Sequence, residues 1–172
     1  MKNSTRGAVD PFIVMDVMEA ARQAEAAGRH IIHMEVGQPA TPAPLGARNV
    51  LRDSLNATAM GYTVALGLPE LRAKIADLYG EWYDVDLDSN RVIVTSGSSA
   101  GFLLSFTSLF DAGERVGIGA PGYPSYRQIL KALDLTAVNI PTSAANKFQL
   151  HPTDLADLSL NGLLVASPSN PT

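Results

Sequence analysis

Residues 91–110 read RVIVTSGSSAGFLLSFTSLF, an apolar β-branched run that breaks at SGSS and restarts with apolar side chains at helical spacing. The pattern predicts strand, tight turn and helix. Val92, Ile93, Val94 and Thr95 favour a pleated strand buried on both faces, Gly97 frees the backbone to turn, and Ser98 or Ser99 is placed to cap the helix. The expected helix packs back on the sheet through Phe102, Leu103, Phe106 and Leu109 or Phe110. Its first turn leaves N–H groups without backbone partners, and with the hydroxyls of Ser96, Ser98 and Ser99 they form a cup suited to a phosphate or other dianion. An ordinary capped turn has the same local chemistry, so this stretch decides the fold class before it decides the function.

Outward from it, strands and helices alternate. Upstream, Asp10-Pro11 starts a helix that stops at Gly28, residues 31–36 form a short strand ending at Gly37-Gln38-Pro39, and a second helix spans about Leu45 to Ala57. Gly61 to Gly67 is irregular, and Pro69 opens a helix expected to bury Leu71, Ile75 and Leu78. Downstream, strands are expected over Glu114–Ala120, Leu135–Ile140 and Leu163–Ala166, with a helix over Tyr126–Leu133 and at most a short one over Asp154–Leu158. The alternation argues for an α/β fold with a mainly parallel sheet and flanking helices. Ligands collect beyond the carboxyl ends of such strands, where SGSS, PGYP and SPSNPT all fall.

Composition removes other classes. The 172 residues are 46% hydrophobic, enough for a core, and the formal net charge of -4 comes without any block of like charge. Neither a nucleic-acid surface nor a membrane partner is expected. With no cysteine there is no disulfide framework or thiolate site, and MKNSTRGAVDPF lacks the apolar core of a signal peptide, which gives an expectation of a cytoplasmic protein. Gly117 to Gly122 spells GxGxxG, but its first half lies in a strand and Pro121 stands where a dinucleotide fingerprint needs a turn into a helix. Asp84, Asp86, Asp88 and Asn90 imitate a calcium loop whose glycine and bidentate Glu are replaced by Ser89 and Thr95. The histidines lack ligand spacing, so no metal is expected.

GQP at 37–39, GYT with LGLPELR at 61–72, VTSGSS at 94–99, APGYPSY at 120–126 and SPSNPT at 167–172 form an ordered set. Together they resemble the class I/II aminotransferases, pyridoxal-phosphate enzymes of fold type I. The resemblance implies that Gly97, Ser98 and Ser99 bind the phosphate of pyridoxal 5'-phosphate, that Tyr123 lies against the pyridine ring, and that Asn170 donates to its phenolic oxygen. It further implies that Gly37 brings backbone to the substrate carboxylate and that Tyr62 reaches the cofactor phosphate of a neighbouring subunit in a homodimer with shared active sites. Substrates would be an amino acid and a 2-oxo acid. Residues 1–44 would be an N-terminal arm, helix and strand of the small domain, and residues 45–172 the first part of the large cofactor-binding domain.

The family's catalytic lysine is absent. Lys2, Lys74, Lys131 and Lys147 are the only lysines, and none lies in the family's lysine motif. No catalytic residue is therefore assigned within these residues. The chain is expected to be the N-terminal portion of an aminotransferase, inactive alone, with apolar faces and sheet edges left open. Two alternatives stay open: a pyridoxal-phosphate lyase of the same fold, or a non-catalytic binding or assembly module lacking the lysine.

Overall fold

A computed structural model describes residue 2, residues 4–59 and residues 61–172. Its contacts divide the chain into two compact units, Met1–Val17 with Ser96–Thr172, and Met18–Thr95. Each follows from its own sequence pattern.

The first unit holds a three-stranded sheet in the order β2-β1-β3, built from β1 (Arg115–Ala120), β2 (Thr136–Pro141) and β3 (Gly162–Leu164). Both pairings are parallel, with Gly117 opposite Val138 on one side and Leu163 on the other. This is the α/β fold that the alternation predicted. Two helices of this unit are α4 (Gly97–Leu109) and α5 (Pro124–Ala132). Phe106 of α4, Leu130 of α5, Val116 and Ile118 of β1, and Leu135 form the buried cluster, with Phe102, Phe110 and Tyr126 packed around it.

The packing face of α4 differs from expectation at two positions. Phe102, Phe106 and Phe110 turn inward, whereas Leu103 and Leu109 are exposed. A helix with apolar residues on every side gives no stripe to choose by, and here the rings, which fill more volume, take the core. The helix also begins at Gly97 rather than beyond a Ser98 or Ser99 cap, with Ser96 as the N-cap residue.

The second unit contains α2 (Leu45–Ala57), α3 (Pro69–Tyr83) and the larger part of α1 (Ile13–Ala26). Gly28 ends α1 through paired bonds, Arg29 N to Ala24 O at 3.0 Å and Gly28 N to Glu25 O at 2.8 Å, the pattern of a glycine-terminated helix. Residues 31–36 and 92–95 are not sheet strands in this structure. Neither joins a ladder; Val94 N donates to Leu66 O at 3.0 Å, and Ile32 and Ile93 stay exposed. Their β-branched side chains favour the extended backbone, but a strand also needs a neighbour with which to pair.

Leu71 is exposed, and Arg72 beside it is buried instead. Its Nε donates to Val92 O at 2.8 Å and its Nη2 to Ser89 O at 2.8 Å, tying α3 to the backbone of residues 89–92. The buried guanidinium is tolerated because its donors meet carbonyl oxygens in place of water.

His33 clasps two carboxylates in the same unit. Its Nδ1 lies 2.7 Å from Glu35 Oε1 and its Nε2 2.9 Å from Glu25 Oε1 on α1, while Met34 N donates to Glu35 Oε2. The Glu35 hydrogen bond and then that of Glu25 raise the imidazole from 6.5 to about 9, and the same contact with His33 lowers Glu35. Folded His33 thus holds its proton more tightly than unfolded His33, so its stabilisation is complete below 6.5 and disappears as pH rises through about 9. Glu35 acts in the opposite sense and loses its contribution in acid. The difference in melting temperature between the wild type and His33→Gln is expected to narrow as pH is raised from 6.5 to above 9. A difference that stays constant across that range would remove the clasp from the stability of this segment.

Candidate functional site

The turns of interest leave one edge of the sheet. Because β1 and β3 are parallel, the Pro121-Gly122-Tyr123 turn after Ala120 and the residues after Leu164 that lead to Asn170 depart from the same carboxyl edge. Gly122 fits closely there: a Cβ on it would stand 2.6 Å from Gly119 O. The tight turn delivers Tyr123 as the N-cap residue of α5, with Pro124 fixing the helix start.

Tyr123 is half-buried and held by near-perpendicular neighbours. Phe12 meets it with centroids 6.1 Å apart at 86°, and Tyr126 with centroids 5.4 Å apart at 79°. Tyr126 in turn meets Phe102 of α4 at 4.9 Å. Ser98 lies four residues before Phe102, on the same side of the helix, so the aromatic contacts run from the Tyr123 turn to the first turns of α4.

At the start of α4, Gly97 has φ +76. That left-handed value explains the glycine, because a Cβ there would meet nothing within 4 Å. The Ser96 hydroxyl makes no capping bond, the first turn contains no acidic residue, and Ser98 and Ser99 are exposed. A 13-residue helix thus presents hydroxyls and its positive end together.

Asn170 is exposed and shares a cleft with Gly122, Tyr126, Leu150 and Ser169. Asn170 thus shares a cleft with Gly122 and Tyr126, which flank Tyr123 in the turn, and the turn is linked through Tyr126 and Phe102 to the helix of Gly97, Ser98 and Ser99. Gly37 and Tyr62 belong to the other unit. Both are exposed, and a Cβ on Gly37 would meet nothing within 4 Å.

Tyr126 and Phe12 escaped the reading of individual motifs. Tyr126 stands three residues beyond Tyr123, a spacing that places neighbours together at a helix start and could have found it. Phe12 is distant in sequence, and no local signal pairs it with Tyr123. Of the lysines, Lys131 Nζ faces Asp10 at 3.7 Å and Lys74 Nζ faces Asp77 at 3.1 Å. Among the described residues no cluster of metal-ligand side chains occurs, and no helix is long and apolar enough to cross a membrane.

The donors fit the phosphate and ring of pyridoxal phosphate. A helix N-terminus with serine hydroxyls suits a dianion, an oriented aromatic suits a flat heterocycle, and an amide nearby suits a phenolate oxygen.

Comparison with known proteins agrees with this pattern. The family described as aminotransferase class I and II matches residues 29–172. A valine–pyruvate aminotransferase of Mycobacterium tuberculosis is 43% identical over 169 residues, covering 97% of this chain and 44% of that protein. A solved structure from Silicibacter pomeroyi assigned as an aminotransferase is 64% identical with a TM-score of 0.88, covering 100% of this chain and 44% of that one. An aminotransferase structure from Mycobacterium tuberculosis, 41% identical, superposes with a TM-score of 0.94 over 100% of this chain and 45% of its own. The chain thus spans less than half the length of these relatives, and over that span it belongs to the aminotransferase class I and II family.

Proposed function

We propose that this chain is the N-terminal portion of a pyridoxal-phosphate-dependent aminotransferase that moves an amino group from an amino acid to a 2-oxo acid. The observation that carries the reading is that the Tyr123 turn and the residues leading to Asn170 leave the same carboxyl edge of the sheet, while the Tyr126–Phe102 contact ties that turn to α4, the helix that Gly97, Ser98 and Ser99 begin. Apolar side chains left open on α2 and α4, such as Leu51 and Leu109, also suit part of a larger protein. Pyridoxal phosphate, when bound, supplies an electron sink for the bond broken at the amino acid's α-carbon.

The residues of this chain hold and orient. Gly97, Ser98 and Ser99 take the phosphate by backbone N–H and hydroxyl. Tyr123 sets the tilt of the ring and excludes water from one side, while the Asn170 amide donates to the phenolic oxygen and so favours its anionic form. Gly37 lets substrate carboxylate approach backbone. Tyr62, fully exposed in the single chain, is assigned to the phosphate of the other subunit in a cytoplasmic homodimer. Residues 1–44 act as arm and small-domain element and residues 45–172 as the start of the large domain. The lysine that moves the proton lies outside residues 1–172.

The test is intact-mass spectrometry of the complete protein after incubation with pyridoxal phosphate and borohydride. One adduct per chain, on a lysine outside these residues, is expected. The activity named for the Mycobacterium tuberculosis relative makes valine with pyruvate the first pair to assay. Alanine formation supports transfer, ammonia release supports a lyase, and no adduct at all would leave a binding module.

A further inference from the structure

The N-terminal segment lies along α5 in a way that the proposed site does not by itself require. The short turn Thr5–Gly7 packs on α5, and the Gln128 side chain donates from Nε2 to Asp10 O at 3.1 Å and to Pro11 O at 3.2 Å. Lys131, three residues on and on the same side of the helix, faces Asp10 Oδ1 at 3.7 Å. The next residue, Phe12, then meets the Tyr123 ring at 86°.

Tyr123 sits on a turn, its backbone is extended at φ -63 and ψ 121, and among the described residues its other ring neighbour is Tyr126, which rides on the same helix. Two rings packed nearly perpendicular to it, Tyr126 at 79° and Phe12 at 86°, obstruct a flip of the Tyr123 ring more than either would alone. We infer that Phe12 is a positioning residue for Tyr123, and that Gln128 anchors the strap of residues 10–12 so that the ring is preset in the tilt a flat heterocycle needs. The inference rests on the cofactor assignment only for its consequence in binding. The holding of Tyr123 is a property of the protein without cofactor.

The energetics favour Gln128 over Lys131 as the anchor. The ion pair is solvent-exposed, 48% for Lys131 and 65% for Asp10, so screening leaves it little effect. Gln128 instead satisfies two successive backbone carbonyls with one amide nitrogen, fixing both position and direction of the strap immediately before Phe12.

The experiment uses the complete protein labelled with 3-fluorotyrosine, with the Tyr123 signal assigned by Tyr123→Phe. In the cofactor-free wild type, a held ring places its fluorine in either of two inequivalent sites and gives two lines. Phe12→Leu, which keeps an apolar fill, and Gln128→Met, which keeps the length and removes the donor, are each expected to merge them into one. Lys131→Met should leave two. Pyridoxal-phosphate affinity is expected to fall about two- to tenfold in the first two variants, the range for loss of one aromatic contact. A single line in the wild type, or two lines surviving both substitutions, would overturn the inference. Merged lines in a protein that does not bind the cofactor would uphold the strap and refute the proposed function instead.

Discussion

Ser98→Asp is expected to weaken pyridoxal-phosphate binding by about a hundredfold while leaving the protein as stable as before, or slightly more so. The two halves of this result have a common cause. The first turn of α4 contains no acidic residue, so its positive end is uncompensated by the helix itself. A carboxylate there gains roughly 0.3–1 kcal/mol from the helix terminus. It also removes a hydroxyl donor and places a like charge against the phosphate, and a hydrogen bond to a charged group contributes about 1.5–3 kcal/mol. A folding defect lowers affinity and stability together and cannot imitate this pattern. Fluorescence titration of the cofactor-free protein, paired with thermal melts, reads both. Ser98→Ala should lose about tenfold, the donor without the repulsion. If Ser98→Asp binds within about threefold of wild type, the phosphate is not at this helix.

The elements that were legible in the sequence are those whose signals are local. Pro69 fixes the start of α3, Gly28 closes α1, and α2 occupies the stretch that its amphipathic spacing marks. The parallel sheet followed from alternation, because a strand and the next parallel strand need a crossover between them. Elements that depend on a distant partner were not legible. Residues 92–95 have the β-branched composition of a buried strand, yet they form no ladder, since composition specifies a backbone shape and not a neighbour. Arg72 is buried where the spacing had placed Leu71. Its burial is set by carbonyls about 20 positions away, at Val92 and Ser89, that no helical period reports.

The site divides in the same way. Gly97 was readable because a tight turn into a helix calls for a left-handed residue, and its φ of +76 meets that need. Tyr123 and Asn170 were readable only through the ordered set of motifs, since a turn tyrosine or an Asn-Pro pair alone is common. The support behind Tyr123 came from a third source. Phe12 and Gln128 lie more than a hundred positions apart, and only the folded chain shows that both bear on the same turn.

Leu130→Ala is expected to cost about 2–5 kcal/mol and to weaken cofactor binding with it. Leu130 is fully buried, packed in the cluster with Phe106, Val116, Ile118 and Leu135. Its backbone matters as well, since Leu135 N donates to Leu130 O at 2.9 Å and so ties the end of α5 to the start of β2. Truncation removes the side chain that seats α5 on the sheet, and rigid neighbours on both sides limit how far the cavity can close. The site is affected through the residues α5 carries: Tyr123 at its N-cap, Tyr126 against Phe102, and Gln128 under the strap. Loss of affinity should therefore track loss of melting temperature, the opposite of the Ser98→Asp pattern. Leu130→Met, which conserves volume, should cost less than about 1.5 kcal/mol and spare binding. Thermal melts and cofactor titration on the same three proteins decide the matter. An unstable Leu130→Ala variant that binds with wild-type affinity would mean that α5 does not position the ring.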